Sequence, residues 1–235
     1  MTPYGNPRLL VIIPAFNEEE TIASVIEDVR HNCPEADILV VNDGSRDATA
    51  RISEGMGVAT LTHPYNLGIG ATMQTGYKYA RLKGYDAAVQ VDADGQHRAD
   101  QIGRLIRPLI EGQAQVVVGS RFLDEGGYRP SLARGAGISI FSRIVSAILR
   151  ERVTDTTSGF RASGREAIAF FSVFYPDDYP EVEALVLLHK RGFRIIEVPV
   201  EMSERAGGQS SITPTRSAYY MIKVLLAIFV DLLKK

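Results

Sequence analysis

The chain has 235 residues, 45% of them hydrophobic and 23% charged, with a formal net charge of −2. That is globular composition, sized for one large domain or two small ones, with no global basic field that would point to nucleic acid. A lone cysteine, Cys33, excludes an internal disulfide and fits a reducing compartment.

The N-terminus, MTPYGNPRLLVIIPAFNEEE, carries a short apolar stretch broken by Pro14 and followed by three acids, so no signal peptide is expected. LLVII (9–13) is a continuous apolar run, the pattern of a strand buried on both faces. Ile22, Val25, Ile26 and Val29 then recur at helical spacing. ADILVV (36–41) predicts a second strand, ATARISEGM a short helix closed by Gly57, and VATL (58–61) a third strand. A helix is predicted over 70–84, ended by Gly84. DAAVQV (86–91) predicts a fourth strand, ADQIGRLIRPLIEG a helix and AQVVVG (114–119) a fifth strand. The repeated βαβ order predicts an α/β fold: a mostly parallel, Rossmann-like sheet with helices on both faces.

The second half is less regular. GSRFLDEGGYRPSLARG (119–135) predicts a loop, with helical patterns near 136–150, 164–172 and 181–191. FRIIEVPVEM (193–202) alternates as a strand does, and SERAGGQSSITP (203–214) predicts a loop. SAYYMIKVLLAIFVDLLKK (217–235) predicts an apolar helix. No internal repeat or clear interdomain linker interrupts the chain.

In open α/β sheets ligands bind outside the carboxyl ends of the strands. Polar clusters fall there: PAFNE after strand one, NDGS after strand two and DADGQH after strand four. Asp92 and Asp94 at i and i+2 can converge on one divalent cation, with the Gln96 carbonyl as a further hard oxygen donor. The competing reading is that the two acids only cap the following helix. His97 suits a phosphate or metal contact or a plain helix start. Gly68-Ile69-Gly70 is an incomplete dinucleotide fingerprint that does not follow the first strand, which argues against NAD.

Taken together, VIIPAFNEEETI, VVNDGSRDAT, NLGIGATMQTG, VQVDADGQH, VVGSRF and TDTTSGFRA resemble, in order and spacing, glycosyltransferase family 2. Within it they resemble the branch that moves a sugar from a nucleotide sugar to a polyprenyl or dolichyl phosphate. The resemblance implies a GT-A fold over residues 1–216, with 1–120 as the nucleotide-sugar half and 121–216 as the acceptor half. It places Pro14, Phe16 and Glu18 in the base and ribose pocket, Asp43 on the nucleoside, and Asp92 and Ala93 beside the donor. Asp92, Asp94 and Gln96 would hold Mg²⁺ or Mn²⁺ against the diphosphate. Arg121 would meet phosphate charge, and Arg205 with Gly208 and Ser210 would belong to a loop closing over the donor. Ser211 stands where the family pattern has a lysine. Asp155, Ser158, Gly159, Phe160 and Arg161 match the acceptor-side motif, and Arg134 lies where the family keeps a loop meeting the acceptor phosphate. Arg129 is read as a solvated loop charge.

Glycosyl transfer breaks a C–O bond to a diphosphate, so negative charge grows on the leaving group. A divalent metal and arginines placed there favour the transition state over the ground state. With the roles that the resemblance implies, Asp94, Arg121 and Asp155 are the expected catalytic residues. A single displacement inverts the anomeric centre. A phosphate acceptor is already anionic and needs no base, whereas a hydroxyl would, with Asp155 or Glu183 as candidates. GDP-mannose or a UDP-hexose is the expected donor. The alternatives are a hydroxyl acceptor in cell-surface glycan synthesis, or a non-catalytic nucleotide-binding subunit.

Residues 217–233 are too short, and too interrupted by Lys223 and Asp231, for a confident membrane span. Apolar nearly all round, they call for cover by the core, a second copy of the chain, a small membrane protein or the membrane surface. The expected location is cytoplasmic, peripheral at the inner face of the membrane.

Overall fold

A computed structural model describes residues 7–123, 141–147, 152–177 and 180–203. Its strands are β1 (Leu9–Ala15), β2 (Asp37–Asn42), β3 (Ala59–Thr62), β4 (Ala87–Gln90), β5 (Val116–Ser120), β6 (Arg161–Gly164) and β7 (Ile195–Pro199). The helices are α1 (Ile22–Asn32), α2 (Thr49–Gly55), α3 (Ile69–Lys83), α4 (Ile102–Ile110), α5 (described over 141–147), α6 (Arg165–Phe171) and α7 (Pro180–Lys190).

The strands form one seven-stranded sheet in the order β3-β2-β1-β4-β6-β5-β7. All pairings are parallel except those of β6, which runs antiparallel between β4 and β5. β2 and β4 flank β1 on opposite sides, so the chain reverses its winding direction there and opens a crevice at the strand ends.

Every residue of β1 is buried, as its unbroken apolar run requires. One core cluster packs Leu10, Ile12 and Leu39 against Met73, Tyr77 and Phe171. The other packs Val11, Ile13 and Val40 against α1 and α4. α1 turns Ile22, Val25, Ile26 and Val29 inward. α3 approaches β1 so closely that a Cβ at Gly76 would sit 2.6 Å from Ile12 Cγ2. α3 ends at Gly84, in the left-handed region at φ 73°, where few other residues fit without strain.

The structure departs from expectation at three places. β3 is an edge strand, mostly exposed. The segment before α4 opens as a 3₁₀ turn, Ala99–Gln101. RASG, predicted only as the tail of a motif, is the strand β6. Arg129, Arg134, Arg205, Gly208, Ser210, Ser211 and the tail 217–235 lie outside the described residues.

Candidate active site

The loops after β1 and β2 are stitched together. Asn17, at φ 55°, accepts the Arg46 N–H at Oδ1 (2.9 Å) and donates its own N–H to Ser45 Oγ (2.9 Å). The Glu18 N–H donates to Thr49 Oγ1 at 2.8 Å, and the Glu18 carboxylate accepts from Thr21 Oγ1 at 3.0 Å. Pro14 is buried at the strand end, while Phe16 is 43% exposed at the rim.

Asp43, 4% exposed, spends its carboxylate on the loop ahead of α3. Oδ1 accepts the Leu67 N–H at 2.9 Å and lies 2.8 Å from His63 Nδ1, and Oδ2 accepts the Gly68 N–H at 2.9 Å. His63 Nε2 in turn meets Thr75 Oγ1 at 3.0 Å. Asp43 thus ties the β2 end to the α3 start.

After β4 the chain turns through Asp92 to His97. Asp92 is half-buried, and its Oδ1 accepts from Gln90 Nε2 at 2.9 Å. Ala93 is buried, and Asp94, 8% exposed, accepts the Gln96 N–H at Oδ1 (3.0 Å) around Gly95, at φ 76°. Neither acid caps a helix: the 3₁₀ turn starts after Arg98 with no side-chain cap. The capping alternative therefore fails. Two carboxylates and a carboxamide oxygen on one tight turn are the hard donor set that Mg²⁺ or Mn²⁺ takes when substrate phosphates complete the shell. Among the described residues no group of three or more His, Cys, Asp and Glu side chains gathers to hold a metal by itself.

The antiparallel course of β6 brings the TTSGF segment to this same edge. Gly159 faces Asp92: a Cβ there would lie 3.3 Å from Asp92 Oδ2 and 2.8 Å from Gln90 Nε2. On the other side Arg121, just past β5, grips Asp155. Its Nε donates to Oδ2 at 2.7 Å and Nη2 to Oδ1 at 2.8 Å, with a further bond from Nη2 to Thr157 Oγ1 at 2.8 Å. The Asp155 side chain is fully buried.

Ser158, Phe160 and Arg161 are each at most 1% exposed, so they shape the TTSGF segment from beneath. Arg161 Nη2 donates to the Ser158 carbonyl at 2.7 Å and the Glu181 carbonyl at 3.1 Å. Its Nε and Nη1 have no hydrogen-bond partner among the described residues. Burial, opposed by Arg161 and assisted by Asp92, pushes the Glu181 carboxyl above its usual range. Burial, with Glu35 and Asp28 nearby, drives the Cys33 thiol up to about 11, which suits an inert cysteine.

Four supporting residues were not foreseen. His63 and Gln90 brace Asp43 and Asp92, and Glu181 feels the charge of Asp92. Glu197, on β7, accepts the N–H groups of Thr154 and Asp155 and the Thr154 hydroxyl, all at 2.8 Å. His63, Glu181 and Glu197 act across long sequence separations, where no local pattern marks them, whereas Gln90 stands two residues before Asp92 and reads locally only as part of a strand.

A Rossmann-like sheet with acids at the ends of β2 and β4 and an arginine past β5 defines a GT-A glycosyltransferase. The chain belongs to glycosyl transferase family 2, whose model matches residues 10–170. It is 30% identical to the polyprenol monophosphomannose synthase of Mycolicibacterium smegmatis, over 92% of this chain and 85% of that one. It is 33% identical to the UDP-N-acetylglucosamine–dolichyl-phosphate N-acetylglucosaminyltransferase of Methanococcus voltae, over 82% of this chain and 84% of that one. It is 30% identical to the undecaprenyl-phosphate mannosyltransferase of Micrococcus luteus, over 88% of each. Among solved structures, glucosyl-3-phosphoglycerate synthase of Mycobacterium tuberculosis, with Mn²⁺, uridine diphosphate and phosphoglyceric acid bound, superposes with a TM-score of 0.72. That likeness, at 22% identity over 96% of this chain and 78% of the other, concerns the fold. The chain is thus a family 2 glycosyltransferase related to the polyprenyl and dolichyl phosphate sugar transferases.

Proposed function

We propose that this enzyme moves a hexose from a nucleotide diphosphate-sugar, GDP-mannose or a UDP-hexose, to a polyprenyl phosphate with inversion. The observation that carries this reading is the juxtaposition of Asp92 and Gly159. The acid at the end of the donor-side strand lies against the acceptor-side segment, where Gly159 leaves room for its carboxylate and for the Gln90 carboxamide. Relatives named for a polyprenol, undecaprenyl or dolichyl phosphate acceptor support the choice of lipid.

Asp92, Asp94 and Gln96 would hold Mg²⁺ or Mn²⁺, which when bound neutralises charge on the diphosphate. Asp43 keeps the loop at 63–68 against the β2 end, and the base and ribose would lie between that end and the turn at 14–18. Arg121, fixed by Asp155, directs positive charge at the leaving group. Its partner Asp155 already accepts both ends of the guanidinium fork, which suits an orienting anion better than a proton acceptor. An acceptor phosphate needs no base. Were the acceptor a hydroxyl, a base would be required, and with Asp155 committed to Arg121 the candidate is Glu183. Among the described residues no helix is long and apolar enough to cross a membrane. Attachment at the inner membrane face through 217–233, a membrane protein or a second copy remains part of the proposal.

The test is incubation with GDP-mannose, UDP-glucose and UDP-N-acetylglucosamine plus undecaprenyl or dolichyl phosphate, with products read by mass. Lipid-linked sugar is expected, lost in Asp94→Ala and in excess chelator. Transfer only to a hydroxyl acceptor, or full activity in chelator, overturns the reading.

A further inference from the structure

His97 has no role in the chemistry above, yet its side chain touches both Asp92 and Phe160. It is 5% exposed. Its Nδ1 accepts the Asp92 N–H at 2.9 Å. A backbone N–H can only donate, so Nδ1 keeps its lone pair and the ring proton resides on Nε2. Nε2 faces Asp92 Oδ2 at 3.6 Å, too far for a direct hydrogen bond but near enough for the N–H dipole to favour the carboxylate's position. One face of the ring stacks on Phe160, with centroids 4.8 Å apart and planes 14° from parallel. Along the backbone His97 pairs with Met202, and the Ser203 N–H donates to the Gln96 carbonyl at 2.9 Å.

We propose that His97 is the positioning residue of the acid loop. Its ring, accepting at Nδ1, clasps the Asp92 backbone, orients the Asp92 carboxylate together with Gln90, and joins the acid turn to Phe160 and to the root of the segment after β7. The inference rests on the reading of Asp92 as a donor-side ligand. The space behind the turn gives the clasp its importance. A solvent-open pocket of about 420 Å³ lies there between α1 and the turn, lined by Ser24, Asp28, Gly95, His97, Arg98 and Ser203. With the ring gone, the turn could relax into that space, and close packing would not hold Asp92. Groups that orient metal ligands from behind commonly govern affinity as strongly as this arrangement suggests.

The test compares Ala, Asn and Gln at position 97 in the full chain. The Asn carboxamide oxygen can stand near the Nδ1 position and accept the Asp92 N–H, whereas the Gln oxygen reaches toward Nε2 and leaves that N–H unpaired. Calorimetry measures the binding of GDP and UDP in Mn²⁺. Hydrogen exchange measures protection of the Asp92 amide. ¹⁵N NMR of histidine-labelled protein reads the ring tautomer. His97→Ala and His97→Gln are expected to weaken Mn²⁺-dependent nucleotide binding roughly 10–100-fold, while His97→Asn recovers most of it. The wild type should show an unprotonated Nδ1 and a protonated Nε2, a signal absent from all three variants. Should His97→Ala not fold, the Asn and Gln pair decides. Gln performing as well as Asn, wild-type affinity in His97→Ala, or a proton on Nδ1 overturns the clasp. If the wild type binds neither nucleotide, the donor reading fails. The clasp is then judged by the Asp92 amide, which should be protected in wild type and Asn and exposed in Gln.

Discussion

Arg121 closes a two-pronged ion pair on Asp155, Nε to Oδ2 at 2.7 Å and Nη2 to Oδ1 at 2.8 Å, with the carboxylate wholly buried. Removing the guanidinium strands that carboxylate away from water. Arg121→Ala is therefore expected to cost about 3–5 kcal/mol in urea unfolding. Arg121→Lys keeps the charge but not the fork. It should fold better than the alanine variant and still show a marked fall in kcat. A lysine variant with wild-type kcat would deny Arg121 a part in the chemistry.

Asp43 makes three contacts with the loop at 63–68, so its loss should be felt twice. Asp43→Ala leaves the Gly68 and Leu67 N–H groups without their acceptor, at a cost of about 1–2 kcal/mol in stability. The loosened loop should also raise the donor KM. Unchanged donor KM alongside lower stability would confine Asp43 to a structural role.

Gly159 has no room for a methyl group on its Asp92 side. Gly159→Ala must displace the Gln90 carboxamide, which is buried and bonded to Asp92. Overpacking of this kind costs about 1–3 kcal/mol in stability. The shifted acid should lower kcat by roughly 100-fold, as small misplacements in active sites do. Steady-state kinetics with matched thermal melts separates the two effects.

Glu181 sets a pH dependence. Its carboxyl is raised above the ordinary value of 4.5, by burial first and by repulsion from Asp92. The folded state therefore holds this proton more tightly than the unfolded chain. The stability it lends is complete below 4.5 and is lost as pH rises through the elevated value. Glu181→Gln, neutral throughout, should match wild type in acid and exceed it at neutral pH. Parallel urea curves across that range check this, and equal stability at neutral pH would contradict it.

Much of the fold over residues 7–120 was legible from local pattern. The unbroken run LLVII is β1, buried along its whole length, and the 3.6-residue spacing of Ile22, Val25, Ile26 and Val29 is the inward face of α1. The acids after β2 and β4 could be assigned to a site because strand ends in such sheets are where ligands bind. Local pattern carries this information because burial of alternate or periodic positions depends on neighbours in sequence.

β6 was not legible. Arg161-Ala162-Ser163-Gly164 contains no β-branched or aromatic residue, and nothing in it favours a strand. It becomes one because the facing edges of β4 and β5 offer backbone groups that must be paired. Its antiparallel direction then carries Asp155 to Arg121 and Gly159 to Asp92. The same holds for His97, whose tautomer follows from one bond to the Asp92 N–H and whose ring stacks on Phe160 from a distant segment. The sequence by itself determined which residues could do the chemistry and at which strand ends they stand. Only the tertiary structure decided which of them meet, because pairing across a sheet is settled by the strands on either side and not by the residues next in the chain.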